Sequence, residues 1–393
     1  MKTTLWTELS PTSPYYLFVP REEKGRETYE KYWKITDIFP INVTGIVTAR
    51  DGFVIDFDRE VLKRRITMFR NLSIPDELVE QTFKLKDTRG WKFSESRKEL
   101  AKDENWDVYF TKILYRPFDV REIYYTQKMV DWPRSEVMSH MLASNLSICF
   151  MRQVSLEENY THFLVSEYMV DNRTFLSSKG IIQQAPLYLY PDTDKKDLFS
   201  HKKETEKREP NINPELFKTL SEVYLKELSP EEIFYYIYAV LYSNIYRTKY
   251  AEFLKIDFPR VPFTKDYKLF SKMGEYGKRL VDLHLLKSPE LDPPVAKFQG
   301  KGENRIEKLR YAEKENRAYI NQSQYFEGIT KEVWEYQIGG YQVCDKWLKD
   351  RKGRTLDDIR TYCRIATAIQ KTIEIQKAID GIYTEAERET VLF

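Results

Sequence analysis

The stretch YRPFDVREIYYTQKMVDWPRSEVMSHM, residues 115–141, gathers three arginines, four Tyr or Phe side chains and a Trp-Pro-Arg turn into one short segment. Two readings fit that composition: a half-buried strand pair with charged ends, or a surface that grips something anionic and flat. Extended to YFTKILYRPFDVREIYYT (109–126), the run is rich in β-formers. Upstream, GIVTARDGFVIDFD (45–58) alternates apolar and polar residues around Asp51-Gly52, which predicts a hairpin. LSICFMRQV (146–154), HFLVSEYMV (162–170) and APLYLYPD (185–192) read as further short strands, and DREVLKRRITMFR (58–70) as a helix among them.

The pattern changes after DTDKKDLFSHKKETEKREPNINPE (192–215), a polar run of mixed charge that reads as a long loop or linker. Beyond it, Ser229, Pro230, Glu231 and Glu232 open a helix with Pro in the first turn and acid at the positive end of the dipole. Residues 265–286, 341–352 and 355–380 read as further amphipathic helices, and 319–340 as strands. The expected class is α+β: a β-rich recognition half over 1–214 and a mainly helical supporting half over 215–393. The run 231–254 carries apolar or aromatic residues on nearly every side, so as one helix it is buried on several faces.

With 393 residues, 41% hydrophobic and 32% charged, the chain has the profile of a soluble globular protein of two or three domains. No apolar run approaches a membrane span and the first residues lack a signal-peptide core, so a cytoplasmic setting without membrane contact is expected. Cys149, Cys344 and Cys363 are too scattered for a disulfide framework and read as buried free thiols. A net charge of +2 excludes bulk polycation binding, so any nucleic-acid contact needs a local patch. The 28 tyrosines suit both a core with wet edges and a recognition surface.

No Walker-type phosphate loop and no G-x-G-x-x-G follows a strand. His140, His162, His201 and His284 stand apart rather than at ligand spacing, so neither a catalytic centre nor a metal site is expected in this chain. DNA amino-methyltransferases hold their target amine in an Asp/Asn-Pro-Pro-aromatic turn. The lookalike Asp292-Pro293-Pro294-Val295 has a valine that cannot stack on a flipped base, and it reads as an interhelical linker. Scattered carboxylates leave room for a nuclease centre without a sequence signal; Asp192, Asp194 and Lys196 are too compressed to form one.

YRPFDVREIYY (115–125), followed by PRSEVMSHM (133–141), resembles the C-terminal specificity region of type ISP restriction-modification enzymes and of related large adenine-N6 DNA methyltransferases. The resemblance continues in order through residues 33–58, APLYLYPD (185–192), 230–263 and VWEYQIGGYQVCDKWLKDRKGRTL (333–356). It implies a target-recognition module for double-stranded DNA, either a fragment of a larger polypeptide or a stand-alone subunit. The methyltransferase and helicase/nuclease domains, with their S-adenosylmethionine, ATP and Mg, would then lie elsewhere in the full enzyme. Because such enzymes read different sequences, arginines in the resembling blocks (Arg50, Arg116, Arg121 and Arg134) are expected to hold the DNA backbone or to brace the fold through Asp51, Asp119 or Glu122. Base readers are then sought among Arg152, Gln153, Asn159, Tyr160, Asn172, Arg173, Lys179, Gln183 and Gln184. The lysine cluster over 195–208 is either a solvated loop or a DNA-tracking arm. Two other classes stay open, a nuclease with an unrecognised metal site and a protein-interaction scaffold in a phage-defence assembly.

The missing cofactor loop and amine-holding turn carry an expected outcome: this chain neither binds S-adenosylmethionine nor methylates DNA. Calorimetry with the cofactor checks it, since saturable micromolar binding would reveal a methyltransferase site.

Overall fold

Asp58 shows how local sequence starts an element. Its carboxylate accepts the amides of Glu60 (2.7 Å) and Val61 (3.1 Å) and so caps α1 (Arg59–Arg70), which buries Leu62, Ile66 and Phe69 at helical spacing. The computed structural model describes residues 25–191 and 208–391, so most of the polar run 192–215, with the lysines before Arg208, lies outside the described residues. Strands β1 (Val43–Thr44) and β2 (Ile55–Asp56) precede α1, and α2 (Asp76–Phe83) and α3 (Phe93–Lys102) follow it. Then come β3 (Phe110–Arg116), β4 (Asp119–Tyr124), β5 (Ser147–Met151), β6 (Leu164–Ser166), β7 (Met169–Val170) and β8 (Ile182–Pro186). The later part contributes α4 (Pro214–Tyr224), α5 (Pro230–Tyr242), α6 (Asn244–Lys249) and α7 (Tyr267–His284). It continues with β9 (Lys297–Gln299), β10 (Arg310–Ala312), β11 (Arg317–Tyr319), β12 (Tyr325–Glu327), α8 (Val343–Lys349) and α9 (Ile359–Ala386).

Among the described residues three four-stranded sheets result, in the orders β1-β8-β5-β6, β2-β4-β3-β7 and β9-β12-β11-β10. This is the α+β class expected from the sequence. The opening stretch supplies the antiparallel pair β3–β4, with Lys112 opposite Glu122 and Leu114 opposite Val120, while β3 also pairs in parallel with β7. Single bridges, Ile46 to Asp171 and Val47 to Trp132, tie the loop after β1 to both neighbours.

Three expectations are corrected. Residues 45–58 form no hairpin at Asp51-Gly52: Phe53 and Val54 donate to the Arg50 carbonyl (2.8 and 3.1 Å), closing a helical turn over Asp51–Val54. The competing principle is side-chain capture, because Asp51 accepts the Tyr115 and Thr48 hydroxyls and cannot serve as a free turn residue. Second, the apolar run 231–254 is not one helix. α5 opens with the capping box of Ser229 and Glu232 and ends at Ser243, whose hydroxyl donates to Asp380 (2.8 Å) and accepts the Tyr246 amide (3.2 Å), starting α6 in a new direction. Third, Asp292–Val295 leads into the strand β9 rather than into another helix, with Asp292 paired to Arg360 at 2.9 Å. Within 319–340, strand β12 is followed by a short helix, Lys331–Glu335.

The core is one continuous apolar cluster that runs through both parts of the chain. α5 lies at its centre, with Ile233, Phe234 and every residue from Tyr236 to Tyr242 buried. α7 approaches so closely that a Cβ on Gly277 would fall 1.8 Å from the Tyr235 carbonyl oxygen. Buried tyrosines keep their hydroxyls bonded to distant carbonyls: Tyr236 to Pro262 (2.9 Å), Tyr246 to Arg260 (2.7 Å) and Tyr242 to Phe163 (2.8 Å).

The tip of the β3–β4 hairpin plugs into the later part of the chain. Phe118 sits in the left-handed region (φ 60°), its carbonyl accepts the Trp347 indole at 3.1 Å, and its ring meets His284 edge-on. Asp119 is fully buried and receives Arg121 through Nε and Nη2 (2.9 and 2.7 Å) and Arg351 of the turn after α8 through Nη2 (2.5 Å). Removing the carboxylate leaves two guanidiniums facing each other in a desolvated site, which costs about 3–5 kcal/mol. Asp119→Ala is therefore expected to lower unfolding stability by that amount, read by urea denaturation, whereas Asp56→Ala, which leaves a single part-buried arginine, Arg65, still donating to the Phe53 carbonyl (2.9 Å), has a smaller effect.

Candidate nucleic-acid interface

Three of the four arginines singled out in the sequence are held inside. Arg50 donates to the Met129 carbonyl (2.7 Å) and Asp131 (2.5 Å) and lies 4.0 Å over the Trp91 ring; burial pulls its basicity down while Asp131 opposes that. Arg116 pairs with Asp171 at 2.7 Å; burial pushes the Asp171 carboxyl up and Arg116 pulls it back. Arg121 serves Asp119 and stacks on Phe57 and Tyr115, each 4.0 Å away. Of the bracing partners expected, Asp119 takes Arg121, whereas Asp51 bonds Tyr115 and Glu122 faces Arg59. Arg134 differs: among the described residues it has no carboxylate partner, and its guanidinium stands 4.9 Å over Trp132.

The base-reader candidates divide by burial. Tyr160 is buried and its hydroxyl donates to the Met151 carbonyl and accepts the Met151 amide (3.1 Å). Gln184, also fully buried, donates through Nε2 to Ser147 Oγ (2.7 Å) and the Tyr168 carbonyl (2.8 Å). Both are internal supports. Arg152 shares a sheet face with Phe150, packs beside Phe258 and lies 3.4 Å from Asp257; Gln183, opposite Phe150 in register, belongs to that face.

Met151 and Ile182 point the other way and floor a cleft of about 230 Å³. Its walls are Asn172, Arg173, Phe175, Leu176, Ser177, Ser178, Gly180 and Ile181. The chain can turn there because Gly180 takes φ 86° and leaves room for the Gln153 carbonyl, 2.3 Å from where a Cβ would stand. Of the expected readers Asn172 and Arg173 line the cleft; exposed Lys179 sits between the lining residues Ser178 and Gly180, the Gln153 carbonyl faces Gly180, and exposed Asn159 follows Glu158. The floor is apolar and the lip polar, a chemistry that suits a flat ring or methyl group below and hydrogen-bonding edges above. Sequence reading missed Ser177 and Ser178, although the Ser-Ser-Lys-Gly turn is a visible signal for an exposed loop.

Glu158 holds the lip in shape. It accepts the Ser177 hydroxyl (2.8 Å) and the Ser178 hydroxyl (2.5 Å); burial raises its carboxyl, but those bonds outweigh the effect and the net shift is downward. Behind it His162 is fully buried between Tyr160 and Phe175, 3.4 Å from Glu158. Desolvation pushes the His162 imidazole down to about 4 and that of His284 down to about 3. Among the described residues no group of three or more His, Cys, Asp or Glu side chains converges as a metal ion would need, and no helix is long and apolar enough to cross a membrane.

A family model described as the Type ISP C-terminal specificity domain matches residues 37–378. Among solved structures, the fold is similar to that of a nuclease-deletion mutant of the Type ISP restriction-modification enzyme LlaGI in complex with a DNA substrate mimic. That similarity has 20% identity and a TM-score of 0.67, over 95% of this chain and 30% of that one. The ATP-dependent Type ISP enzyme LlaBIII bound to DNA is similar at 21% identity and a TM-score of 0.69, over 93% of this chain and 24% of that one. The DrdV–DNA complex gives 19% identity and a TM-score of 0.70, over 97% and 40%. At such identities the likeness is one of fold, and this chain spans less than half of each of those proteins. No curated protein matches in sequence.

The two neutral histidines generate a pH dependence. Their folded values lie below the unfolded value, so the unfolded state binds the extra protons, and stability is intact above about pH 6.5 and falls as pH drops from there toward 4. Thermal unfolding from pH 7.5 to 4.5 is expected to lose on the order of 1 kcal/mol per pH unit for each histidine below pH 6.5. His162→Phe is expected to flatten that slope.

Proposed function

The chain belongs to the Type ISP C-terminal specificity domain family, and from that membership we propose that it reads a double-stranded DNA sequence for a restriction-modification enzyme of the cytoplasm. Methylation, translocation and cleavage, with S-adenosylmethionine, ATP and Mg, fall to the methyltransferase and helicase/nuclease domains of that enzyme. The single observation that carries the reading is the extent of the family match, residues 37–378, which leaves no second unit of comparable size in the chain.

The cleft edge supports a division of labour. Asn172 and Arg173 offer the two side-chain types that bond adenine and guanine edges bidentately, and Lys179, Gln153 and Asn159 extend the polar rim. Arg152 and Gln183 serve a second contact on the opposite face of the same sheet. Arg50, Arg116 and Arg121 hold the scaffold under that edge, because each already has an internal carboxylate. A phosphate would have to outcompete a buried partner at each of them.

Selection of bound duplexes from a random pool tests this. Arg173→Ala or Asn172→Ala is expected to relax the preference at one position, by about 1–3 kcal/mol against the wrong base. Lys179→Ala is expected to weaken all sequences alike and to lower the log–log salt slope by about 1. Equal preferences in the wild type and both cleft variants would remove the cleft from base reading. Metal-dependent cleavage by this chain alone would favour a nuclease, and absence of DNA affinity at low salt would favour an interaction scaffold.

A further inference from the structure

Four observations meet at the turn 131–134. Trp132 is 56% exposed, the most exposed aromatic residue among the large exposed hydrophobics, although indoles are ordinarily well buried. Its backbone is fixed all the same, donating to the Val47 carbonyl (3.0 Å) and accepting the Val47 amide (3.2 Å). Arg134 is held in the left-handed region (φ 56°), where a residue with a Cβ is strained and persists only under outside constraint. The constraint is visible: Tyr125 donates to the Pro133 carbonyl (2.7 Å), and the Val137 and Met138 amides take the Arg134 carbonyl (3.1 and 2.9 Å). Finally, Arg134 Nε is buried without a hydrogen-bond partner, and the adjacent Asp131 already holds Arg50 and Thr88.

The turn adjoins the reader cleft. Val47 follows Ile46, whose carbonyl takes the Asn172 amide (3.0 Å), so one strand of backbone separates Trp132 from Asn172 and Arg173. The tip is cationic. Arg134 stacks on the indole, and Arg173 and the exposed Arg89, next to Thr88, have no carboxylate partner among the described residues; of the acids nearest in sequence, Asp131 is taken up by Arg50 and Thr88, and Glu136 is exposed.

Resting on the DNA-binding reading above, we propose that Trp132 is a wedge that enters a duplex step beside the bases read by the cleft, with Arg134 bonding the flanking phosphate. A preformed, exposed aromatic tip next to a free guanidinium matches what unstacking requires, an apolar face that replaces the lost base stacking and a cation that anchors the bent backbone. A protein surface is the less suited occupant, because it would bury Arg134 and Arg173 together with no carboxylate from this chain to balance them.

The test uses the duplex that the wild type selects, with 2-aminopurine placed at each position in turn. One position near the read site is expected to brighten on wild-type binding. Trp132→Ala is expected to abolish that signal and weaken binding roughly 5- to 100-fold while keeping the selected sequence, and Trp132→Phe to retain most of both. Arg134→Gln is expected to lower the salt slope by about 1. Unchanged affinity and fluorescence in Trp132→Ala would overturn the wedge and leave sequence reading intact. Normal DNA behaviour combined with lost docking to the methyltransferase domain would overturn it too, by placing the indole in a protein contact. A wild type that binds no DNA at low salt would remove the wedge and the proposed function together.

Discussion

The carboxylate of Asp119 is the point on which the rest of the structure depends. It is fully buried between Arg121 of its own strand and Arg351 of a turn more than two hundred residues later. An unpaired ion there would be prohibitive, so the hairpin and the later part of the chain desolvate together or not at all. The consequence travels through the sheet. β3 pairs with β7, β7 leads directly into Asp171, and Asp171 accepts Arg116 from the end of β3. Asn172 and Arg173 are the next residues. The cleft edge therefore inherits its position from the buried ion pair at the tip of the same hairpin, where Arg116 and Asp119 stand opposite each other in register.

The tyrosines extend this coupling. Their rings fill the core, and their hydroxyls reach carbonyls that belong to other elements, so a single side chain both buries apolar area and ties down a polar backbone group. Tyr242 reaches Phe163 across the two parts of the chain, and the Tyr29 ring packs tilted against Tyr250 at 4.6 Å between ring centres. The aromatic content read first as a question about recognition is explained mainly by this wet-edged core. Trp132 stands apart from it, an aromatic that the fold holds out rather than in.

Local chemistry was legible wherever one segment carried its own instructions. The Ser229–Glu232 capping box, the Asp58 cap and the β3–β4 pairing all follow from neighbours in sequence, because their partners lie within a few residues. The Asp51-Gly52 signal failed because Tyr115, 64 residues away, captures the Asp51 side chain. The helix expected through Ser243 failed for the same kind of reason, since Asp380 takes its hydroxyl from another helix. In both places a distant partner outbid a local preference.

The sequence by itself determined the α+β class, the family resemblance and the pool of residues from which a DNA contact could be drawn. Tertiary structure decided which members of that pool face outward. In β8 alternation put Gln184 inside and sent Gln183 to the face it shares with Arg152, while Tyr160 turned inward from a loop and the turn after β7 set Asn172 and Arg173 against the cleft. It also turned Arg50, Arg116 and Arg121 into bracing groups, while Arg134 stayed without a carboxylate. The physical reason is that an arginine's role is set by the nearest carboxylate in space. Asp131, Asp171 and Arg351 come to their partners only when the chain folds.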